Sequence, residues 1–107
     1  MTVSDLLSSG AYTVIARGKD AKITGVYCCD LLSIAMSHMK NGMAWVTVMA
    51  NRNTLAVAQL ADAGCIILAE GTVLDEESAK KAEEENITVL ASDKPIFETA
   101  LAVYEKL

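Results

Sequence analysis

The residues of this chain that could do chemistry sit in short polar turns between apolar runs. Asn51-Arg52-Asn53 and Glu70-Gly71-Thr72 close two such runs, Cys28-Cys29-Asp30 a third, and Ser92-Asp93-Lys94 a fourth. Arg52 carries a permanent charge on a planar donor fork that suits phosphate or carboxylate. Gly71 removes a Cβ where backbone can approach a ligand. Asp30, Asn51, Asn53, Glu70 and Ser92 supply further hydrogen-bonding groups beside these two. The seven are the candidate contacts for a small anion such as a nucleotide. The same residue types also occur at turns for helix capping alone.

Other chemistry is weaker. Cys28 and Cys29 are adjacent, and neighbouring residues of a strand point to opposite faces. They cannot chelate one metal together, and no Cys-x-x-Cys spacing is present. Cys29, next to a helix start, is the better candidate for a lowered thiol pKa and a redox role, although free cysteine more often packs as a small hydrophobe. Cys65 lies in an apolar run and reads as core. His38 is the only histidine, which leaves no multi-histidine metal site and no serine–histidine–acid arrangement; a structural or interface role fits it. Gly18-Lys19 is followed by Asp20, with no glycine at the upstream spacing a phosphate-binding P-loop requires. The expectation is no catalytic residue, no metal, and no cofactor apart from a nucleotide ligand.

The elements that must hold these turns follow from periodicity. Trp45–Met49 and Cys65–Leu68 are continuously apolar, as are parallel strands covered on both faces. Between them Leu55, Val57, Ala58, Leu60 and Ala61 give a helix its buried stripe, so Trp45 to Gly71 is one complete β-α-β unit. Strands are also expected at Tyr12–Ala16, Gly25–Cys29, Met43–Met49 and Ile87–Ala91. Helices are expected at Val3–Ser9, Leu31–Met39 and Asp75–Glu85, with a last one whose core face is Ile96, Phe97, Ala100, Leu101 and Tyr104. Asp30, Asn53 and Ser92 or Asp93 stand where N-caps are wanted. Strand and helix alternate from Gly25 onward, which implies right-handed crossovers and a parallel sheet. The fold class is therefore α/β, a mostly parallel five-stranded sheet with helices on both faces, in a single domain over residues 1–107.

In open parallel sheets ligands bind beyond the carboxyl ends of the strands, which is where the four turns fall. The apolar residues of Leu31–Met39 form a stripe too broad for a helix with one wet face. That helix is expected to be buried on more than one side, with a second subunit as its cover. The chain is 52% hydrophobic, with mean hydropathy +0.31, high for a small domain with much surface per volume. An exposed apolar face usually marks a partner, and two-fold homodimers are the commonest form.

The formal net charge is −5. Nucleic-acid binding needs a basic face, and none is visible. The acidic run Asp75–Glu85 reads as a solvated helix face. No apolar run approaches a membrane span. The N-terminus shows no secretory signal, so the expected compartment is the cytoplasm with its three cysteines reduced.

Three segments carry a family resemblance: Gly25-Val26-Tyr27-Cys28-Cys29-Asp30-Leu31-Leu32-Ser33, then AWVTVMANRNTLAVAQLADAGCIILAEG, then ITVLASDKPIFETA. From about Ile23 onward the chain resembles a DRTGG domain, and more narrowly the stand-alone DRTGG proteins found beside iron-only hydrogenase genes. The family's Asp-Arg pair falls on Asn51-Arg52, and its Thr-Gly-Gly on Ala69-Glu70-Gly71, so Arg52 and Gly71 match. The resemblance implies a regulatory α/β module that self-associates and has no established reaction. Related domains accompany nucleotide-sensing CBS domains in some pyrophosphatases, or phosphotransacetylase catalytic domains, and the stand-alone proteins resemble the N-terminal domain of HPr kinase. On this basis the chain is expected to be a non-catalytic ligand-sensing homodimer built on Leu31–Met39. The alternative is an assembly or interaction partner of a redox enzyme such as a hydrogenase.

Overall fold

A computed structural model of the chain describes residues 1–107. In chain order its elements are α1 (Val3–Leu7), β1 (Thr13–Ala16), β2 (Gly25–Cys28), α2 (Leu32–His38), β3 (Met43–Thr47), α3 (Arg52–Leu60), β4 (Cys65–Leu68), α4 (Glu76–Glu84), β5 (Val89–Ala91) and α5 (Ile96–Tyr104). The strands form one five-stranded sheet in the order β1-β5-β4-β3-β2. β2 through β5 run parallel, and β1 adds antiparallel to β5 at one edge.

Each parallel strand lies beside its predecessor, so three crossovers step the same way across the sheet. Because such crossovers are right-handed, α2, α3 and α4 all lie on one face. The two cores record this. One gathers Ala35, Leu55, Leu74 and Ala82 against Trp45, Ile66, Leu68 and Val89. The other gathers Val3 and Leu6 of α1 and Ala100 and Val103 of α5 against Val46, Ile67 and Leu90. Successive residues of a strand thus feed opposite layers, which is why β4 is apolar throughout and β3 is apolar up to Thr47. Trp45 is fully buried and its indole N–H donates to the Cys29 carbonyl at 3.0 Å.

Within the single chain α2 is covered on one side only. Only Ala35 of the helix is buried, and Leu31, Ile34 and Met36 are 58%, 44% and 50% exposed. The helix sits at the β2 edge and has the sheet on one side only. The breadth of its apolar stripe therefore reflects surface left uncovered within a single chain. His38 is exposed as well. The acidic helix α4 matches its expected form, with Ser78 and Ala82 inward and its carboxylates in solvent.

Candidate functional site

The carboxyl ends of β2, β3, β4 and β5 place the four polar turns along one edge. Asp30 follows β2, but it does not cap α2, whose N-cap is Leu31 without a side-chain bond. Its carboxylate instead reaches the end of β3, accepting from the Thr47 hydroxyl at 2.7 Å and the Val48 N–H at 2.9 Å. Thr47 is the polar residue in an otherwise apolar strand, fully buried, and was not among the expected contacts. That polarity within an apolar run was the signal available in the sequence.

The turn after β3 is organised by Asn51, not Asn53. Asn51 is extended (φ −152°, ψ 178°), the geometry of an N-cap. Its side-chain oxygen accepts from the Asn53 and Thr54 N–H groups at 2.9 and 3.2 Å. Asn53 is already inside the helix and exposed. Arg52, the first helical residue, extends outward and pairs with Glu77 of α4 at 2.5 Å, with side chains 62% and 78% exposed. Glu77 lies in a run of like charges, where nothing in the sequence distinguishes it.

Glu70 and Gly71 both take left-handed backbone (φ 60° and 68°). This doubled turn swings the chain toward the end of β5. The Glu70 N–H donates to the Lys94 carbonyl at 2.9 Å and the Gly71 N–H to the Ser92 carbonyl at 3.0 Å. α4 follows β4 on one face and α5 follows β5 on the other, so this is the topological switch point of the sheet. The two backbone bonds close the crevice there. Ser92 does not cap α5 directly, since the N-cap is Pro95 without a side-chain bond. The Ser92 hydroxyl oxygen, 5% exposed as a residue, accepts from the Lys94 N–H at 3.2 Å and lies 3.1 Å from the Thr99 hydroxyl. Asp93 does not cap α5 either.

The structure therefore brings Asn51, Arg52 and Asn53 together at the start of α3 and joins them to α4 through Glu77. It brings Glu70, Gly71 and Ser92 together at the switch point. Asp30 bonds to the end of β3. Along this edge the carboxylates Asp30, Glu70, Glu77 and Asp93 outnumber the cations Arg52 and Lys94. Asp75 caps α4 by accepting from the Ser78 hydroxyl at 2.7 Å and N–H at 3.0 Å. Those bonds hold its carboxyl below the ordinary value.

Concavity and chemistry do not coincide. The larger hollows, about 150 and 280 Å³, lie at the amino edge, around Lys19, Asp62 and Gly64. At the carboxyl edge the only hollow is about 20 Å³, between Tyr12, Ser92, Lys94 and Thr99. The amino-edge hollows are bordered by backbone hydrogen bonds that tie the β1–β2 connection and the helix ends together. Two of the thiols are held protonated by their surroundings. Burial, then the Asp30 carboxylate, pushes the Cys28 thiol up, and burial pushes Cys65 up to about 12. Cys29 donates its S–H to the Leu31 carbonyl at 3.3 Å.

The model of the DRTGG domain family matches residues 10–105, which takes in β1 as well as the region from Ile23 onward. No curated protein sequence matches the chain. Among solved structures, the chain is similar to the CBS and DRTGG domains of the regulatory region of Clostridium perfringens pyrophosphatase, complexed with its activator diadenosine tetraphosphate. The TM-score is 0.76 at 13% identity, covering 99% of this chain and 47% of that one. The chain thus spans about half the length of that structure, and the likeness is one of fold.

Proposed function

From the premise that the chain belongs to the DRTGG domain family, matched over residues 10–105, we propose that it is a non-catalytic regulatory module that senses a nucleotide or another small anion. The ligand contacts are Asp30, Asn51, Arg52, Asn53, Glu70, Gly71 and Ser92, along the carboxyl edge of the sheet. The observation that carries this reading is Arg52. Its guanidinium stands at the start of a nine-residue helix, beside two asparagines, held only by an exposed pair to Glu77. Exposed pairs of this kind are worth about 0–1 kcal/mol, so a phosphate can displace the carboxylate at little cost. The similar pyrophosphatase region binds an adenine-containing activator, which supports a nucleotide as the first ligand to try. The excess of carboxylates at this edge favours a phosphate group that arrives with a divalent cation over a bare polyanion.

Titrating adenine nucleotides and their magnesium complexes while following thermal stability tests the reading. A ligand at a hundred times its dissociation constant stabilises by about 2.7 kcal/mol. No response to any nucleotide counts against it.

We further read the module as a cytoplasmic homodimer through the Leu31–Met39 region. Those exposed apolar residues also favour the second reading, an interaction partner of a redox enzyme without a small-molecule site. A chain that ignores nucleotides but binds such an enzyme would decide for it.

A further inference from the structure

The two lateral edges of the sheet are finished differently. β1 carries a register shift between Val14 and Ala16 and runs into Arg17, Lys19 and Asp20. Bulges and charges are the devices that guard a free strand edge. β2, at the other edge, reads Gly-Val-Tyr-Cys and pairs without a register shift.

Exposed apolar side chains overhang β2 from both faces. On the face of α5, Thr99 and Ala102 line the small hollow with Ala11 and Tyr12, so that flank of the helix looks toward β1. Phe97, Leu101 and Tyr104, spaced i, i+4, i+7, occupy the opposite flank and look toward β2, over which α5 packs. They are 68%, 39% and 66% exposed rather than on the core face expected of them, which Thr99, Ala100 and Val103 fill instead. On the other face, α2 descends in a right-handed crossover with Ala35 against the sheet. The handedness of the helix then turns Met36 toward α3, and turns Leu31, Ile34 and His38 outward past β2.

We infer that this combined face, made of the outer flank of α2, the free edge of β2 and the outer flank of α5, is the contact with a second copy of this chain across a two-fold axis. The inference rests on the homodimer of the preceding reading and not on its ligand. It moves the interface from α2 alone to both faces of the sheet, and it leaves Met36 outside.

Area supports a second copy as the occupant. An aromatic side chain buries 150–250 Å², so Phe97 and Tyr104, two-thirds exposed, each offer roughly 100 Å² or more. With Leu31, Ile34 and Leu101 the surface reaches on the order of 500 Å² per copy before the β2 backbone and Cys28 are added. A stable interface needs about 800 Å² per partner, and this face comes within reach of that without any charged side chain at its centre. Uncharged apolar centres are what closed two-fold interfaces use.

Sedimentation of the full chain at micromolar concentration, alone and as single variants, tests the proposal. The wild type sediments as a dimer, as does the β1-edge control Val14→Glu. Phe97→Glu and Ile34→Glu each sediment as monomers with a dissociation constant raised at least a hundredfold, while far-ultraviolet dichroism stays unchanged. If either variant loses its fold, Leu101→Lys or Leu31→Lys replaces it, because these residues are exposed. A dimer that survives Phe97→Glu but not Ile34→Glu overturns the two-faced contact and leaves the α2 dimer standing. A monomeric wild type overturns both. Nucleotide response of the monomeric variants separates either failure from that of the ligand reading.

Discussion

At the amino edge of the sheet the turns are tied to one another by backbone bonds at close approach, whereas at the carboxyl edge several turns are organised by side chains. The Gly42 N–H donates to the Asp62 carbonyl at 2.9 Å, the Gly64 N–H to Met43 at 2.8 Å, and the Lys19 N–H to Asn86 at 3.3 Å. Three glycines are fixed there by close approach. A Cβ on Gly18 would strike the Asn86 carbonyl, one on Gly64 would lie 2.6 Å from the Gly42 carbonyl oxygen, and one on Gly42 would lie 2.8 Å from the Thr24 hydroxyl. At the carboxyl edge Asp30, Asn51, Arg52 and Asp75 make their bonds through side chains. The contrast teaches that the hollowed end is fixed by close backbone approach, whereas the flat end exposes Arg52, whose side chain pairs only with the exposed Glu77.

The largest effect should come from closing the amino edge. Gly64→Ala forces backbone against backbone and is expected to destabilise by about 1–3 kcal/mol, the range for overpacking. Chemical denaturation measures it, and a change within error would mean that this edge is looser than the geometry requires. Asn51→Ala removes the cap of α3 and should cost about 1 kcal/mol. Asn53→Ala, outside the cap, should cost clearly less, and equal losses would contradict the assignment of Asn51.

A smaller effect is expected at acid pH. The folded Asp75 carboxyl titrates below its unfolded value of about 3.9 because of the Ser78 bonds. Its contribution is therefore complete above that value and is lost as pH falls through the lower folded one. Asp75→Asn should flatten this acid limb of a melting-temperature profile, and an unchanged limb would remove the role. Arg52→Ala is the smallest for stability, within about 0.5 kcal/mol, since its only partner is exposed.

The fold was legible because β3 and β4 are buried on both faces and carry no alternation to mislead. Strand order was not, because periodicity reports which residues are buried and not which strands meet. The same limit explains the caps. Asp30, Asn53 and Ser92 have the right side chains one position or one turn from a helix start. Asn51 nonetheless has the extended backbone, and the Asp30 carboxylate finds the Thr47 hydroxyl on the neighbouring strand, a contact between residues far apart in sequence. α2 shows the reverse case. Its apolar residues were visible, but the sequence alone could not say that the sheet ends beside them.

The central claim is that the flat carboxyl edge senses a small anion through Arg52, and one paired titration tests it most directly. Thermal stability of the wild type and of Arg52→Ala is followed against adenine nucleotides with magnesium. The account predicts a saturable rise in the wild type, reaching about 2.7 kcal/mol at a hundred times the dissociation constant. It also predicts a response at least tenfold weaker in affinity in Arg52→Ala, whose own stability is unchanged. Equal responses in both proteins would contradict it.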